Sequence, residues 1–325
     1  MMKAILRVSW RLYNIILIHI NDCARYIRYS QCVFNKTNKA ALEAAITRRY
    51  HGLEKGLSFT VRKKNFGKQK IHELIEHLER YIDLYGESAS TAVSNSIIAL
   101  KYYVNTKATN DNELVKRIDD LLRKDVVMHH VKSGEPTLSF TRAELQNSAI
   151  VNFEELCMNR HSIREYTTDL VSHKDIKKAI RMAQRSPSAC NRQSVRCYYT
   201  CDNSKIDLLN KFKPGNMGFQ NLGTVIFITT DFNSHDLSEE RHQGFIEAGM
   251  FAMTLIYSLQ YLGLGTCALH ASFKPSVEKR LLKDFGIKEK ESLCIMVSVG
   301  HLPKEISVAS SVRYPLEEVC RNLDK

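Results

Sequence analysis

The sequence lacks the patterns that mark a disulfide framework, a metal centre or a nucleophilic triad. Its nine cysteines are an odd number and form no Cys-x-x-Cys pair, which favours reduced thiols over disulfides or a zinc site. The histidines lack metal-ligand spacing, and no Gly-x-Ser-x-Gly motif is present. We therefore expect no metal site and no side chain acting as a catalytic nucleophile.

Long apolar runs are also absent near the start of the chain. The stretch from residue 12 to 20 is interrupted by Asn14 and His19, whereas a membrane-spanning helix needs about 20 apolar residues. No small-residue cleavage site follows this stretch, so we do not expect a signal peptide. Together with the cysteine usage, these absences predict a cytoplasmic protein, with peripheral contact to a membrane left open.

Positive charge is concentrated in the first 72 residues. They carry 15 Lys and Arg against three acidic residues, a balance of +12, and the other 253 residues sum to zero. Residues 3–29 have helical periodicity, with a basic face beside an apolar face that contains Trp10. This pattern predicts contact of residues 1–72 with an anionic membrane or acidic polymer, packing against protein, or a merely solvated face. Nucleic acid is not expected, because the basic run at 62–70 contains one aromatic residue.

Hydrophobic periodicity divides the chain into two parts. Residues 1–149 are predicted to be a basic helical extension, and residues 150–325 a domain with both helices and strands. Predicted helices cover residues 38–50, 69–85, 88–105, 111–126, 239–262 and 275–285. Predicted strands cover residues 196–201, 222–230 and 292–300. This order of elements predicts an α+β fold preceded by an all-helical region.

A short stretch in the helical part combines two glycines with three polar side chains. Gly52 and Gly56 predict a tight irregular loop, in which His51, Glu54 and Lys55 lie within five residues. These side chains would form either a small functional site or a structural turn with a local ion pair.

Several loops in the second part suit a planar, anionic ligand. Arg160, Ser162 and Arg164 alternate ahead of a helical pattern and could hold a phosphate. A later loop offers hydroxyl and amide groups for a flat heterocycle, at Pro187, Ser188, Asn191 and Gln193. Gly263 and Gly265 permit close backbone approach to a flat ligand, and Arg313 is a further candidate phosphate clamp. The Gly-x-Gly-x-x-Ala match at 263–268 is not a dinucleotide fingerprint, because it follows a helix rather than a strand.

In this order the segments resemble the FMN-dependent nitroreductase family. The matching segments are Arg160–Arg164, Pro187–Gln193, Gly263–Thr266, Val299–His301 and Arg313–Leu316. The resemblance covers residues 150–325. In addition, His51–Leu57 is similar to the N-terminal part of longer nitroreductase-like proteins associated with bacterial polysaccharide gene clusters.

The resemblance implies a mixed β-sheet flanked by helices, and a homodimer with FMN at the subunit interface. The cofactor-binding residues that it implies are Arg160, His161, Ser162, Arg164, Pro187, Ser188, Asn191, Gln193, Gly265, Leu269, His270 and Arg313. Pro187 and Ser188 would come from the other subunit, and the backbone near Leu269 and His270 would face flavin N5. NAD(P)H would be a transient electron donor, and a small organic substrate would be reduced or oxidised by hydride transfer through N5, with no side chain acting as acid or base.

The chain also departs from the family pattern. Many members carry Glu-Gly at the N5 loop, where this chain has Leu269-His270-Ala271. The segment at 202–222 is short, so the helical region is predicted to supply a lid or substrate site. Two other functions remain open at this point: a scaffold that binds membranes or polymers on the same fold, and an enzyme that modifies or senses flavin.

Overall fold

The computed structural model describes residues 2–29, 38–86, 90–124, 134–235 and 238–324. The chain divides into two compact units. The first, here called the sheet unit, contains residues 1–18 and 139–306. The second, here called the helical unit, contains residues 19–138 and 307–325. The predicted domain boundary near residue 150 stays a prediction. The compact units divide after residues 18, 138 and 306.

The N-terminal part is helical, as its periodicity predicts. Its helices are α1 (Met2–Tyr29), α2 (Lys39–Leu57), α3 (Lys68–Tyr85), α4 (Thr91–Asn105) and α5 (Asn112–Leu122). The side chain of Asn38 caps α2 by accepting a hydrogen bond from the Ala41 N–H at 3.0 Å. Leucine, isoleucine and tyrosine side chains from α2 to α5 form one buried core, so tertiary packing rather than propensity stabilises these helices.

The predicted loop at residues 51–58 is wrong, because α2 continues through both glycines to Leu57. A Cβ atom at Gly56 would lie 2.1 Å from the ring of Phe66, and one at Gly52 would lie 3.1 Å from Lys70 Nζ. Glycine in a helix costs about 1 kcal/mol relative to alanine. Here the missing side chains allow close packing instead, and the buried residues Leu53 and Leu57 stabilise the helix across them.

The helix α1 leaves its large apolar side chains exposed. Trp10 is 66% exposed and Ile16 is 57% exposed. Arg7 and Arg11 are exposed on the same helix. Among the described residues, no helix has the length and apolar character needed to cross a membrane.

The rest of the chain combines helices and strands. The strands are β1 (Thr137–Thr141), β2 (Val195–Thr200), β3 (Thr224–Asp231), β4 (Leu264–Leu269), β5 (Glu291–His301) and β6 (Glu305–Ala309). The helices are α6 (Arg142–Val151), α7 (Phe153–Met158), α8 (His173–Ala183), α9 (Asn203–Asn210), α10 (Gln243–Tyr261), α11 (Pro275–Asp284) and α12 (Leu316–Val319). The α+β fold class, with a helical region ahead of it, is confirmed.

A four-stranded sheet with the order β2-β3-β5-β4 forms the centre of the sheet unit. Its three ladders are antiparallel, and parallel pairing occurs at the isolated bridges Ser162–Thr266 and Gly223–Val299. All eight residues of β3 are buried, as its apolar, β-branched sequence predicts. The long helix α10 packs on this sheet and on α8.

Candidate functional site

The Arg160–Arg164 segment lies along β4, at one edge of the sheet. The Ile163 N–H donates to the Thr266 carbonyl oxygen at 2.8 Å. Three residues later, the Tyr166 hydroxyl donates to the Ile163 carbonyl oxygen at 2.9 Å and lies 2.8 Å from Ser298 Oγ. Burial raises the pKa of Tyr166 well above its usual value, so the hydroxyl keeps the proton that it donates. Backbone pairing and this tyrosine together fix the segment to the sheet.

Arg164 carries a buried hydrogen-bond donor without an acceptor. Its Nη1 donates to the Ser162 carbonyl oxygen at 3.2 Å, whereas its Nε is buried and has no hydrogen-bond partner among the described residues. A buried unpaired donor is costly. An anion such as a phosphate would satisfy this donor, so the segment fits the phosphate group of FMN.

Gly265 lets the Arg160–Arg164 segment approach the sheet. A Cβ atom there would lie 2.7 Å from Leu302 Cδ2 and 3.0 Å from Ile163 Cγ2. His161 and Gly265 line a cavity of about 20 Å³ beside this contact. The glycine is thus required for packing of the segment, and its contact with a flat ligand stays a prediction.

The Pro187–Gln193 loop has an unusual backbone. Cys190, Asn191 and Gln193 have positive φ angles of 51°, 54° and 48°. Asparagine tolerates this left-handed region, but for the other two residues it costs about 1–2 kcal/mol each. Asn191 and Gln193 are exposed. Strain of this kind persists only where the surroundings hold the backbone firmly, and it is concentrated at functional sites.

Glu247, near the start of α10, holds this loop. Its carboxylate accepts hydrogen bonds from the Ser194 hydroxyl at 2.7 Å, the Ala189 N–H at 2.8 Å and the Ser188 hydroxyl at 3.0 Å. The side chain is 2% exposed. Burial alone would raise the pKa of Glu247, but the hydrogen bonds outweigh it and lower the pKa. The carboxylate is therefore charged when it holds the loop.

Sequence reasoning missed Glu247, although a signal was present. The residue lies on the same face of α10 as the buried residues Phe251 and Leu255. A single glutamate on the apolar face of a predicted helix needs several donors to offset its burial. Polar loops elsewhere in the chain can supply such hydrogen-bond donors.

A larger cavity of about 330 Å³ adjoins the same loop. Pro187, Ser188, Gln193, Glu247 and Phe251 are among the residues that line it. An apolar floor with a few hydroxyl, amide and carboxylate groups is typical of a small-molecule site.

The segment after β4 carries two further predicted residues. Leu269 is buried in the core of the sheet unit, and His270 is exposed. The His270 ring lies 5.3 Å from the Phe273 ring, measured between centroids. The burial of Leu269 and the ring contact of His270 describe the local packing of the segment. The backbone contact with flavin N5 stays a prediction.

Arg313 belongs to the helical unit. It is exposed and lines a cavity of about 210 Å³ together with Glu54 and Asn95. Its predicted role as a phosphate clamp stays a prediction.

The structure does not bring the two main loops of the sheet unit together within one chain. Glu247 contacts the Pro187–Gln193 loop, whereas Gln260 donates to the Leu156 carbonyl oxygen at 3.2 Å, just before the Arg160–Arg164 segment. These two residues of α10 are 13 positions apart, a distance of about 20 Å along a helix axis. The loops also flank opposite edge strands, β2 and β4.

A comparison with protein-family models identifies the family that part of the sheet unit resembles. Residues 157–301 match the nitroreductase family. The predicted resemblance is thus confirmed for these residues, which include the Arg160–Arg164 and Pro187–Gln193 segments. No curated protein matches the chain.

Several solved structures named as nitroreductases each cover about half of this chain. A nitroreductase family protein from Streptococcus pneumoniae is 21% identical, covers 53% of this chain and 100% of its own, and has a TM-score of 0.45. An FMN-dependent nitroreductase from Clostridium difficile is 20% identical, covers 51% and 97%, and has a TM-score of 0.44. A protein from Desulfovibrio desulfuricans in complex with FMN is 19% identical, covers 52% and 95%, and also has a TM-score of 0.44. At this level the similarities identify neither a substrate nor a partner.

Proposed function

We propose that this protein is an FMN-dependent oxidoreductase that uses NAD(P)H and acts on a small organic substrate. The observation that carries the proposal is the buried, unpaired Nε of Arg164, in a segment fixed to the sheet within the nitroreductase match. A buried guanidinium donor without an acceptor is explained by an anion that is part of the functional protein. The phosphate of FMN supplies such an anion.

In this proposal the protein binds and orients the cofactor. Arg160, Ser162 and Arg164 hold the phosphate, with His161 at the edge of the ring. Asn191 and Gln193 present amides to the heterocycle, and the strained backbone fixes the direction of these side chains. FMN, when bound, supplies two-electron chemistry by hydride transfer through N5. No side chain of this chain needs to move a proton.

We further propose that the complete site requires two copies of the chain. The Arg160–Arg164 segment and the Pro187–Gln193 loop are associated with opposite ends of α10 and with opposite edge strands. One FMN is too short to contact both across about 20 Å of helix and the width of the sheet. A homodimer that places the loop of one protomer beside the segment of its partner joins both halves in each of two equivalent sites.

The test of the enzyme proposal is the colour of the purified full chain. The protein is expected to take up FMN, to show the absorbance of oxidised flavin and to bleach when NADH or NADPH is added without oxygen. The variant Arg164→Gln should bind FMN more weakly, while Arg181→Gln, an exposed arginine of α8, should bind it normally. Protein that takes up no FMN would contradict the proposal and favour a non-catalytic scaffold.

The exposed helix α1 favours a second, separate activity: contact with an anionic membrane surface. Trp10 and Ile16 are exposed on a helix that also exposes Arg7 and Arg11, a combination that binds at the lipid–water interface. Sedimentation with vesicles that contain anionic lipid should pull down the full chain, less so as salt rises. Equal sedimentation of the variant Trp10→Ala/Ile16→Ala would contradict this second proposal.

A further inference from the structure

A cavity in the helical unit belongs to neither proposed activity. Its volume is about 210 Å³. Helices α2 and α4 and the C-terminal tail form its walls. Residues 134–136 complete the lining, and the polar side chains of the cavity are Glu54, Thr91, Ser94, Asn95, Glu135 and Arg313. The helices and the tail all lie outside the nitroreductase match at 157–301.

Glu54 is a buried carboxylate with few hydrogen-bond donors around it. It is 2% exposed, and its side-chain partner among the described residues is His51, with Nδ1 at 3.1 Å from Oε2. A carboxylate has about four acceptor sites, and burial of a carboxylate is costly unless donors occupy them. Glu54 lines the cavity, so a ligand inside it can supply the missing donors.

One face of α4 extends this polar wall. Thr91, Ser94, Asn95 and Ile98 are spaced by three and four residues and all line the cavity. Ser94 is 3% exposed and Asn95 is 9% exposed, and the Asn95 amide lies 3.4 Å from the Tyr50 hydroxyl. Polar side chains this deeply buried on a helix are unusual in a core that only packs. Ile98 adds an apolar contact beside them.

The C-terminal tail places a cation at the same cavity. Arg313 makes no hydrogen bond or ion pair with the residues that the structure describes, and it is exposed. Val312 and Pro315 line the cavity next to it. The tail is held nearby, since the Ser310 N–H donates to the Pro136 carbonyl oxygen at 3.0 Å. A guanidinium held beside a cavity is well suited to bind a carboxylate.

We propose that this cavity binds a small zwitterion of the α-amino acid class, with a short apolar side chain. Glu54 accepts hydrogen bonds from its ammonium group, and Arg313 binds its carboxylate. Ile98, Val312 and Pro315 contact the apolar side chain. This inference depends on the helical unit alone and holds whether or not the sheet unit binds FMN.

The size and charge of the cavity exclude other ligands. A cavity of 150 Å³ holds benzene, so about 210 Å³ suits roughly eight or nine non-hydrogen atoms. Valine and leucine have this size, whereas a hexose is larger. A simple anion would be repelled by Glu54 and Glu135, which both line the cavity, and a simple amine would not use the guanidinium of Arg313.

The experiment is calorimetric titration of the full chain with L-valine, with two analogues of it and with D-glucose. Isobutylamine lacks the carboxylate of valine, and 3-methylbutanoate lacks its ammonium group. L-valine should bind with one site per chain, and each analogue should bind at least tenfold more weakly. Equal binding of either analogue, binding of D-glucose in preference to valine, or no binding of valine would overturn the proposal.

Variants test the two charged residues separately. Glu54→Gln and Arg313→Gln should each weaken L-valine binding at least tenfold, whereas the exposed controls Glu113→Gln and Arg321→Gln should leave it unchanged. If Glu54→Gln fails to fold, Arg313→Gln still decides, because Arg313 is exposed. Loss of FMN with unchanged valine binding in Arg313→Gln would overturn the assignment of Arg313 to this cavity. Loss of valine binding with normal FMN content would support it.

Discussion

The two main loops of the sheet unit are held in different ways. The Arg160–Arg164 segment is fixed by backbone pairing to β4 and by Tyr166, so several contacts share its stabilisation. The Pro187–Gln193 loop is held by the buried carboxylate of Glu247 and by an ion pair between its Arg192 and Glu240, and it has strained backbone at Cys190 and Gln193. The first loop is thus an extension of the sheet, and the second is a separate structure attached to a helix. Substitutions should therefore disturb the second loop more.

The largest expected effect is that of Glu247→Ala. The variant leaves the Ser194 and Ser188 hydroxyls and the Ala189 N–H without their acceptor. Loss of a buried group with several partners should lower the free energy of unfolding by about 3 kcal/mol. Urea unfolding of the variant measures this loss, with Glu305→Ala, an exposed glutamate, as its control. An unchanged unfolding midpoint would mean that Glu247 does not hold the loop.

Arg164→Gln should have a smaller effect, and on binding rather than on stability. One charged hydrogen bond to a phosphate contributes about 1.5–3 kcal/mol, so FMN affinity should fall by about 10- to 100-fold. Fluorescence titration with FMN measures the affinity. A fall in FMN affinity that is no larger than that of Arg181→Gln would show that the buried Nε of Arg164 does not serve the phosphate.

The smallest expected effect is that of Gly265→Ala. The added Cβ atom would meet Leu302 and Ile163 at 2.7 Å and 3.0 Å, and such overpacking costs about 1–3 kcal/mol. Gly249→Ala in α10 is the matched control, because nothing lies within 4 Å of its Cβ position; it should stabilise the helix by about 0.5–1 kcal/mol. Thermal unfolding should therefore shift in opposite directions for the two variants. A shift of the unfolding temperature in the same direction for both variants would contradict the close packing at Gly265.

Much of the fold follows from local patterns, and the exceptions have physical causes. The buried strand at 224–231 and the cap at Asn38 were predictable because β-branched residues and cap chemistry act locally. The course of α2 through Gly52 and Gly56 was not predictable, because those glycines make room for Phe66 and Lys70, which lie further along the chain. Strand β4 was missed for a similar reason: its glycine and small residues have weak strand propensity, and pairing with β5 stabilises it.

The sequence predicts the residue types of the candidate site, and it predicts their spatial arrangement less well. Residue types and their order indicated Arg164 and the Asn191 loop, because anion and heterocycle binding require such groups. That these loops lie at opposite ends of α10 depends on helix length and strand order, which no single motif specifies. The hydrogen bonds from Ser188 and Ser194 to Glu247 likewise join residues more than 50 positions apart.

Subunit complementation tests most directly that the site is shared between two chains. Arg164→Gln disables the phosphate segment and Glu247→Gln weakens the loop, so each variant alone should bind little FMN. In a mixed dimer one site combines the intact segment of one protomer with the intact loop of its partner. Refolding or coexpressing the two variants together should therefore restore about one quarter of the FMN bound by the unaltered protein, since about half of the dimers are mixed and each has one complete site. No restoration above the two separate variants, with mixed dimers demonstrated by differential tags, would contradict the shared site.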